Sequence, residues 1–263
     1  MQRLRGLVIA VLLALSFSAT AQDDQDRVRI TNGDWPPYLG EDEPGYGIAS
    51  RIVTRAFEKA GYEVEYGFFP WSRSLYLARE GYWDGTAVWL PTEKRFEDFH
   101  VSEPVILTEY VFFHRGGMTF DWEMPADLAG DRVGATQVYA DGEVINTAKA
   151  LDIIQTETAA LDRLNFEKLI AGRIDLFPMD RVVGQQMLQE EFSAKERGKI
   201  TWHPRPVRHD RLRLLLSREV PENAERIKAF NKALRELRAE GEIEEIIVRA
   251  LGQDRDAGPS RQQ

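Results

Sequence analysis

Short apolar or β-branched runs alternate with stretches of helical periodicity along this chain, the pattern of an α/β protein with mostly parallel strands. "RVRI" at 27–30 reads as the first strand. After the loop "TNGDWPPYLGEDEPGYG", the segment 48–60 places Ile48, Ile52, Val53, Ala56 and Phe57 on one face of a helix, and Gly61 is placed to stop it. "YEVEYGF" alternates as a strand, "SRSLYLARE" reads as a helix ended by Gly81, and "DGTAVWL" as the next strand. The same order recurs downstream, where "TAALDRLNFEKLIA" predicts a helix over 158–171, Gly172 ends it and "RIDLFPM" is a strand. Both places carry Gly-x-x-Asp, at Gly81 to Asp84 and Gly172 to Asp175, so two similarly built lobes are expected.

Two extended stretches, "EYVFFHR" at 109–115 and "RLRLLLS" at 211–217, can connect such lobes, and the block between them has its own strand, "DRVGAT". Residues 221–251 predict two amphipathic helices separated near Gly241, with Pro221 placed to begin the first. The expected layout is a discontinuous lobe over 22–114 and 212–252, an inserted lobe over 115–211, and a polar tail without structure over 253–263.

The amino terminus alters this picture. Arg3 and Arg5, an apolar run from Leu7 to Phe17 and then Ala19-Thr20-Ala21 form the basic, apolar, small-residue order of a secretory signal peptide over 1–21. The apolar run is short of the ~20 residues a spanning helix needs, so no direct membrane anchor is expected. The chain has no Cys, which rules out disulfide staples and a lipid tether through Cys. A formal charge of -9 disfavours phosphate backbones and so nucleic acid.

His100, His114, His203 and His209 lack metal-ligand spacing, and no phosphate loop or nucleophile elbow appears, so neither metal nor cofactor is expected. Aromatic residues stand instead on loops at strand ends, where parallel α/β domains bind ligands: Trp35 and Tyr38 in "DWPPY", Trp71 in "FFPWSR" and Trp89 in "AVWLP". Trp89, inside a strand pattern, reads as core; Trp35 and Trp71 read equally as core or site. Thr92 can cap a short helix "EKRFEDF", which puts Arg95 on its first turn beside a strand end. There the guanidinium can either grip a carboxylate bidentately or pair with Glu97 or Asp98 on the surface.

Together "VRITNGDWPPY", "GYWDG", "TEKRFEDFHVSEP" and "AGRIDLFPMD" resemble the type II periplasmic solute-binding proteins of the amino-acid-binding class, family 3, over nearly the whole chain after the signal peptide. Its most specific piece is Thr-x-x-Arg followed six residues later by an apolar residue and Ser-Glu-Pro. The resemblance implies two α/β lobes joined by two strands and closing over a ligand. It matches Arg95 to the Arg that holds the ligand carboxylate, Trp35 and Trp71 to aromatics that sandwich its side chain, and Asp180 to the Asp that pairs with its ammonium. Departures are Asn32 where an Asp is common, and Val88, Leu90 and Pro91 where Ser or Thr precede the Arg. Val138 stands where a Gly is usual, with Tyr139 as a replacement hydroxyl, and Arg73 is either an extra cation facing the cleft, which would favour an acidic or dicarboxylate ligand, or a helix-surface charge.

The implied function is a monomeric periplasmic receptor passing a small polar solute, an amino acid or related carboxylate, to an ABC permease. Two alternatives on the same fold are a cyclohexadienyl dehydratase-like enzyme with Glu109 or Asp180 as general acid, and a ligand sensor for a membrane signalling protein.

Overall fold

The computed structural model describes residues 26–137 and 142–256; the expected signal peptide over 1–21, Val138, Tyr139 and the last seven residues lie outside them. Two compact units divide the chain, one holding residues up to Ile106 and from Leu212 onward, the other Leu107–Arg211. Strands β4 (Phe99–Arg115) and β8 (Ile200–Ser217) each run from one unit into the other, and residues 107–114 of β4 belong to the second.

In the first unit the sheet order is β2-β1-β3-β8. Strand β1 (Arg27–Asn32) pairs in parallel with β2 (Glu63–Phe68) along its whole length, and with β3 (Gly85–Trp89). Strand β8 runs antiparallel to β3. Helix α1 (Ile48–Lys59) buries the predicted face, with Ile48, Ile52, Val53, Ala56 and Phe57 all inaccessible. Phe57 meets Phe230 of α8 (Asn223–Glu240) at 4.8 Å between ring centres. Helices α2 (Trp71–Arg79) and α3 (Glu93–Asp98) follow β2 and β3.

The second unit repeats this construction in the order β4-β7-β5-β6. Strand β5 (Arg132–Thr136) pairs in parallel with β6 (Gln155–Ala159) and β7 (Leu176–Asp180), while β4 runs antiparallel to β7. Helices α4 (Glu143–Ala150), α5 (Asp162–Ile170), α6 (Arg181–Glu191) and the single turn α7 (Ala194–Arg197) complete it. Phe166 of α5 packs edge-on against Phe113 and Phe177, each at 5.2 Å, at the centre of its core.

Three expectations are corrected. The helix expected from Thr158 starts at Asp162, because Gln155–Ala159 is an edge strand whose mostly polar residues give no apolar signal. The connecting strands are longer than "EYVFFHR" and "RLRLLLS", since their polar ends remain extended. The last helix, α9 (Glu242–Asp256), extends four residues into the segment expected to lack structure.

The two Gly-x-x-Asp motifs have one role each, and it is the same role. Gly81 and Gly172 take φ of 73° and 71°, a conformation that L side chains avoid, and so turn the chain out of α2 and α5. The Asp three residues later then accepts from an Arg on the neighbouring strand, through both its backbone N–H and its side chain. Asp84 accepts from Arg29 N at 2.7 Å and Nε at 3.4 Å. Asp175 accepts from Arg132 N at 3.1 Å and Nε at 2.8 Å.

Each Asp also takes a second Arg, Arg226 for Asp84 at 3.2 Å and Arg115 for Asp175 at 2.9 Å. Hydrogen bonds from Arg132 and Arg115 hold the Asp175 carboxyl well below the usual carboxylate range. A depressed native pKa stabilises the fold above the unfolded value of about 4, and this contribution is lost as pH falls below it. Asp131, beside this cluster, is the opposite case: burial and the Asp175 charge push it up to about 6. A raised carboxyl pKa costs stability once pH passes the unfolded value, and the cost is complete above the native one. Asp131→Asn is therefore expected to raise the melting temperature at pH 7.5 and to leave it unchanged at pH 3.5, as thermal denaturation at the two pH values would show.

Candidate functional site

The carboxyl ends of β1, β2 and β3 gather the predicted residues of the first unit. Asn32 closes β1, fully buried; its Nδ2 donates to Ser50 Oγ at 2.9 Å. Its backbone carbonyl accepts from Phe69 N at 3.0 Å and Ser74 Oγ at 2.8 Å, which fixes the turn between β2 and α2 against β1. Trp71, first residue of α2, then lies flat on Gly33: a Cβ at that glycine would stand 2.4 Å from the indole. Only glycine allows this approach, so Gly33→Ala is expected to displace Trp71 and weaken ligand binding, measured by calorimetry, more than it lowers the melting temperature.

Trp35 and Tyr38 stack on one another at 4.8 Å in a loop closed by the Trp35–Leu39 bridge, Tyr38 buried and Trp35 half-buried. Arg73 is exposed, its guanidinium 5.2 Å from the Phe69 ring.

Arg95 and Trp89 form the centre of this arrangement. Thr92 Oγ1 accepts from Arg95 N at 3.3 Å, the cap expected of it. The guanidinium folds back over the strand end, donating from Nη1 to Leu90 O at 2.5 Å and lying 4.7 Å from the Trp89 ring centre. Trp89 is itself held on two sides: its Nε1 donates to Thr86 Oγ1 at 3.0 Å, and Trp71 meets its ring edge-on at 5.1 Å. Among the described residues no carboxylate lies within ion-pair distance of Arg95, neither Glu97 nor Asp98 taking it. Burial alone therefore acts on its charge, lowering its pKa from the ordinary value.

Trp89 was expected in the core, and it does pack against the buried Ala78, Phe99 and Leu215; its contact with the Arg95 guanidinium is additional to that.

In the second unit, Asp180 is fully buried at the end of β7, where its Oδ1 caps α6 by accepting from Val182 N and Val183 N, both at 3.0 Å. Its partner across the β4–β7 ladder is Tyr110. The Arg208 guanidinium lies 3.8 Å from the Tyr110 ring, and its Nε donates to Asp210 Oδ2 at 3.0 Å. Glu109 Oε1 accepts from Arg181 Nε at 2.9 Å. Thr136, at the end of β5, donates to Asp162 Oδ1 at 2.5 Å. Burial raises the Tyr110 phenol well above its ordinary range, so it stays protonated. Among the described residues no cluster of three metal-ligating side chains occurs.

The model of the bacterial extracellular solute-binding proteins, family 3, matches residues 28–253. No curated protein sequence gives a match. Similar solved structures include a histidine kinase sensor domain resembling periplasmic binding proteins, at 21% identity and TM-score 0.67 over 87% of this chain and 98% of that one. Substrate-binding domain 2 of Lactococcus lactis GlnP is 19% identical, TM-score 0.65, over 84% and 94%. The P235GK mutant of the arginine-binding protein of T. maritima is 16% identical, TM-score 0.64, over 87% and 96%. These likenesses give the two-lobed type II periplasmic binding protein fold. The chain belongs to family 3 of the bacterial extracellular solute-binding proteins.

Proposed function

We propose that this protein captures a small solute bearing a carboxylate, an amino acid or a related acid, in the periplasm and delivers it to an ABC permease. One observation carries the reading: a half-buried guanidinium, oriented by Leu90 O and the face of Trp89, to which no carboxylate of the described chain is paired. A planar fork held this way is suited to bidentate recognition of a carboxylate, and a ligand would restore the charge balance that burial upsets. Family membership and the likeness to the second substrate-binding domain of a putative amino acid ABC transporter from Streptococcus pneumoniae support delivery to a permease. The signal-peptide pattern supports the periplasm, and among the described residues no helix is long and apolar enough to cross a membrane.

The two candidate general acids fit binding better than dehydration. Glu109 is ion-paired with Arg181, and Asp180 is occupied in capping α6. The likeness to a histidine kinase sensor domain favours a second reading, in which the same liganded state is passed to a membrane signalling partner. Calorimetric titration of the purified protein against amino acids and small organic acids tests the capture itself. A saturable heat for at least one of them is expected, and a flat response across the panel would contradict it. Prephenate and arogenate are expected to remain unconverted in an ultraviolet scan.

A further inference from the structure

We infer that Thr86 of β3 is a positioning residue for the proposed anchor: its hydroxyl sets the plane of the Trp89 indole, and the indole face sets where the Arg95 guanidinium lies. The inference rests on Arg95 as carboxylate anchor and deepens that reading. In a regular strand, residues three apart point to opposite faces of the sheet, so Thr86 and Trp89 should not meet. In β3 they do. Along the β3–β8 ladder Thr86 stands opposite Leu215 and Trp89 opposite Arg213, so three steps on β3 answer two on β8. The extra residue makes a β-bulge, which re-aims the side chain beyond it. Trp89 is thereby turned to the side of Thr86 and its cross-strand neighbour Leu215, and it packs on Leu215, Ala78 and Phe99.

There a short relay holds the indole. Thr86 Oγ1 accepts from Trp89 Nε1 at 3.0 Å and donates to Thr31 O of β1 at 3.0 Å. Thr86 is fully buried, so removing its hydroxyl leaves a donor and an acceptor unsatisfied in the interior. Trp71 meets the same ring edge-on, which limits its movement on a second side. The Arg95 guanidinium, 4.7 Å from the ring centre, is drawn to the face of that ring by its quadrupole, and this attraction follows the plane of the ring. Thr86 therefore acts on Arg95 through Trp89.

Three variants test this. Thr86→Val removes the hydroxyl and Thr86→Ser keeps it. Trp89→Phe removes the same hydrogen bond from the other end and leaves a ring for the guanidinium. The first readout needs no solute: Arg95 side-chain protons over the indole face are shielded by its ring current. Their NMR signals, assigned by their loss in Arg95→Gln, are expected upfield of the ordinary arginine range, to return toward it in Thr86→Val and to stay in Thr86→Ser. The second readout is calorimetry with the amino acid or organic acid that gives the largest heat. Its affinity is expected to fall about tenfold in Thr86→Val and in Trp89→Phe, and to recover in Thr86→Ser. Arg95 signals that do not move in Thr86→Val overturn the inference, as does unchanged affinity in Trp89→Phe, which decides alone should Thr86→Val fail to fold. Binding that survives Arg95→Gln overturns the anchor reading instead, and the two failures are distinct because the Arg95 signals are read in the unliganded protein.

Discussion

Arg95→Ala is expected to weaken ligand binding by about 100-fold or more while leaving the melting temperature of the unliganded protein unchanged or slightly raised. Truncating one partner of a desolvated charge pair costs about 2–5 kcal/mol, because the ligand carboxylate then enters the site without a counter-charge. The fold does not suffer in the same way. Arg95 makes one side-chain hydrogen bond, to Leu90 O, and lies over Trp89, while burial already disfavours its charge. Arg95→Lys should recover part of the affinity, since a point charge replaces the planar fork. Calorimetry paired with thermal denaturation separates the two effects. A proportionate loss of stability and affinity would make Arg95 a structural residue.

Asp84→Ala is expected to cost about 3–5 kcal/mol of folding stability, the largest effect of any single change considered for the first unit. Asp84 and Arg226 are both buried, with side chains 8% and 6% exposed, so removing the carboxylate strands a guanidinium in the interior. The same carboxylate holds Arg29 of β1, and the Asp84 carbonyl accepts from Ser217 N at 2.9 Å and Asn223 Nδ2 at 2.7 Å. One residue thus joins β1, β8 and α8. Asp84→Leu combined with Arg226→Met should lose less than Asp84→Ala alone, because no buried charge is then unpaired. Equilibrium urea unfolding measures all three. A loss below 1 kcal/mol for Asp84→Ala would show that water replaces the carboxylate.

What the sequence disclosed follows from which residues carry a period. Helix α1 was legible because its buried positions recur at helical spacing, and the turn at Gly241 was legible because glycine separates two amphipathic runs. The doubled Gly-x-x-Asp disclosed a shared construction but not its purpose, since the Arg29 and Arg132 partners come from strands distant in sequence. Strand β6 was invisible: an edge strand needs no apolar alternation when its register is set by β5.

At the candidate site, the Thr92 cap was legible from its spacing, whereas spacing left Arg95 open between a ligand contact and a surface ion pair, and did not show that Trp89, packed on the core, also carries the guanidinium. A tryptophan that supports a guanidinium and one that fills a core look the same along the chain, and they differ only in what lies on the ring face. The commitment of Asp180 to its own helix is equally silent in the sequence. Asp-Arg-Val-Val does not say whether the carboxylate turns to the α6 N–H groups or away from them.

Arg95, seated on Trp89, is proposed to hold the ligand carboxylate. A crystal structure of the protein grown with whichever amino acid or organic acid gives the largest heat would show where that carboxylate sits. Both carboxylate oxygens are expected within hydrogen-bond distance of the Arg95 guanidinium, with the guanidinium still over the Trp89 ring. A carboxylate bound elsewhere, with Arg95 turned to Glu97 or Asp98, would contradict it.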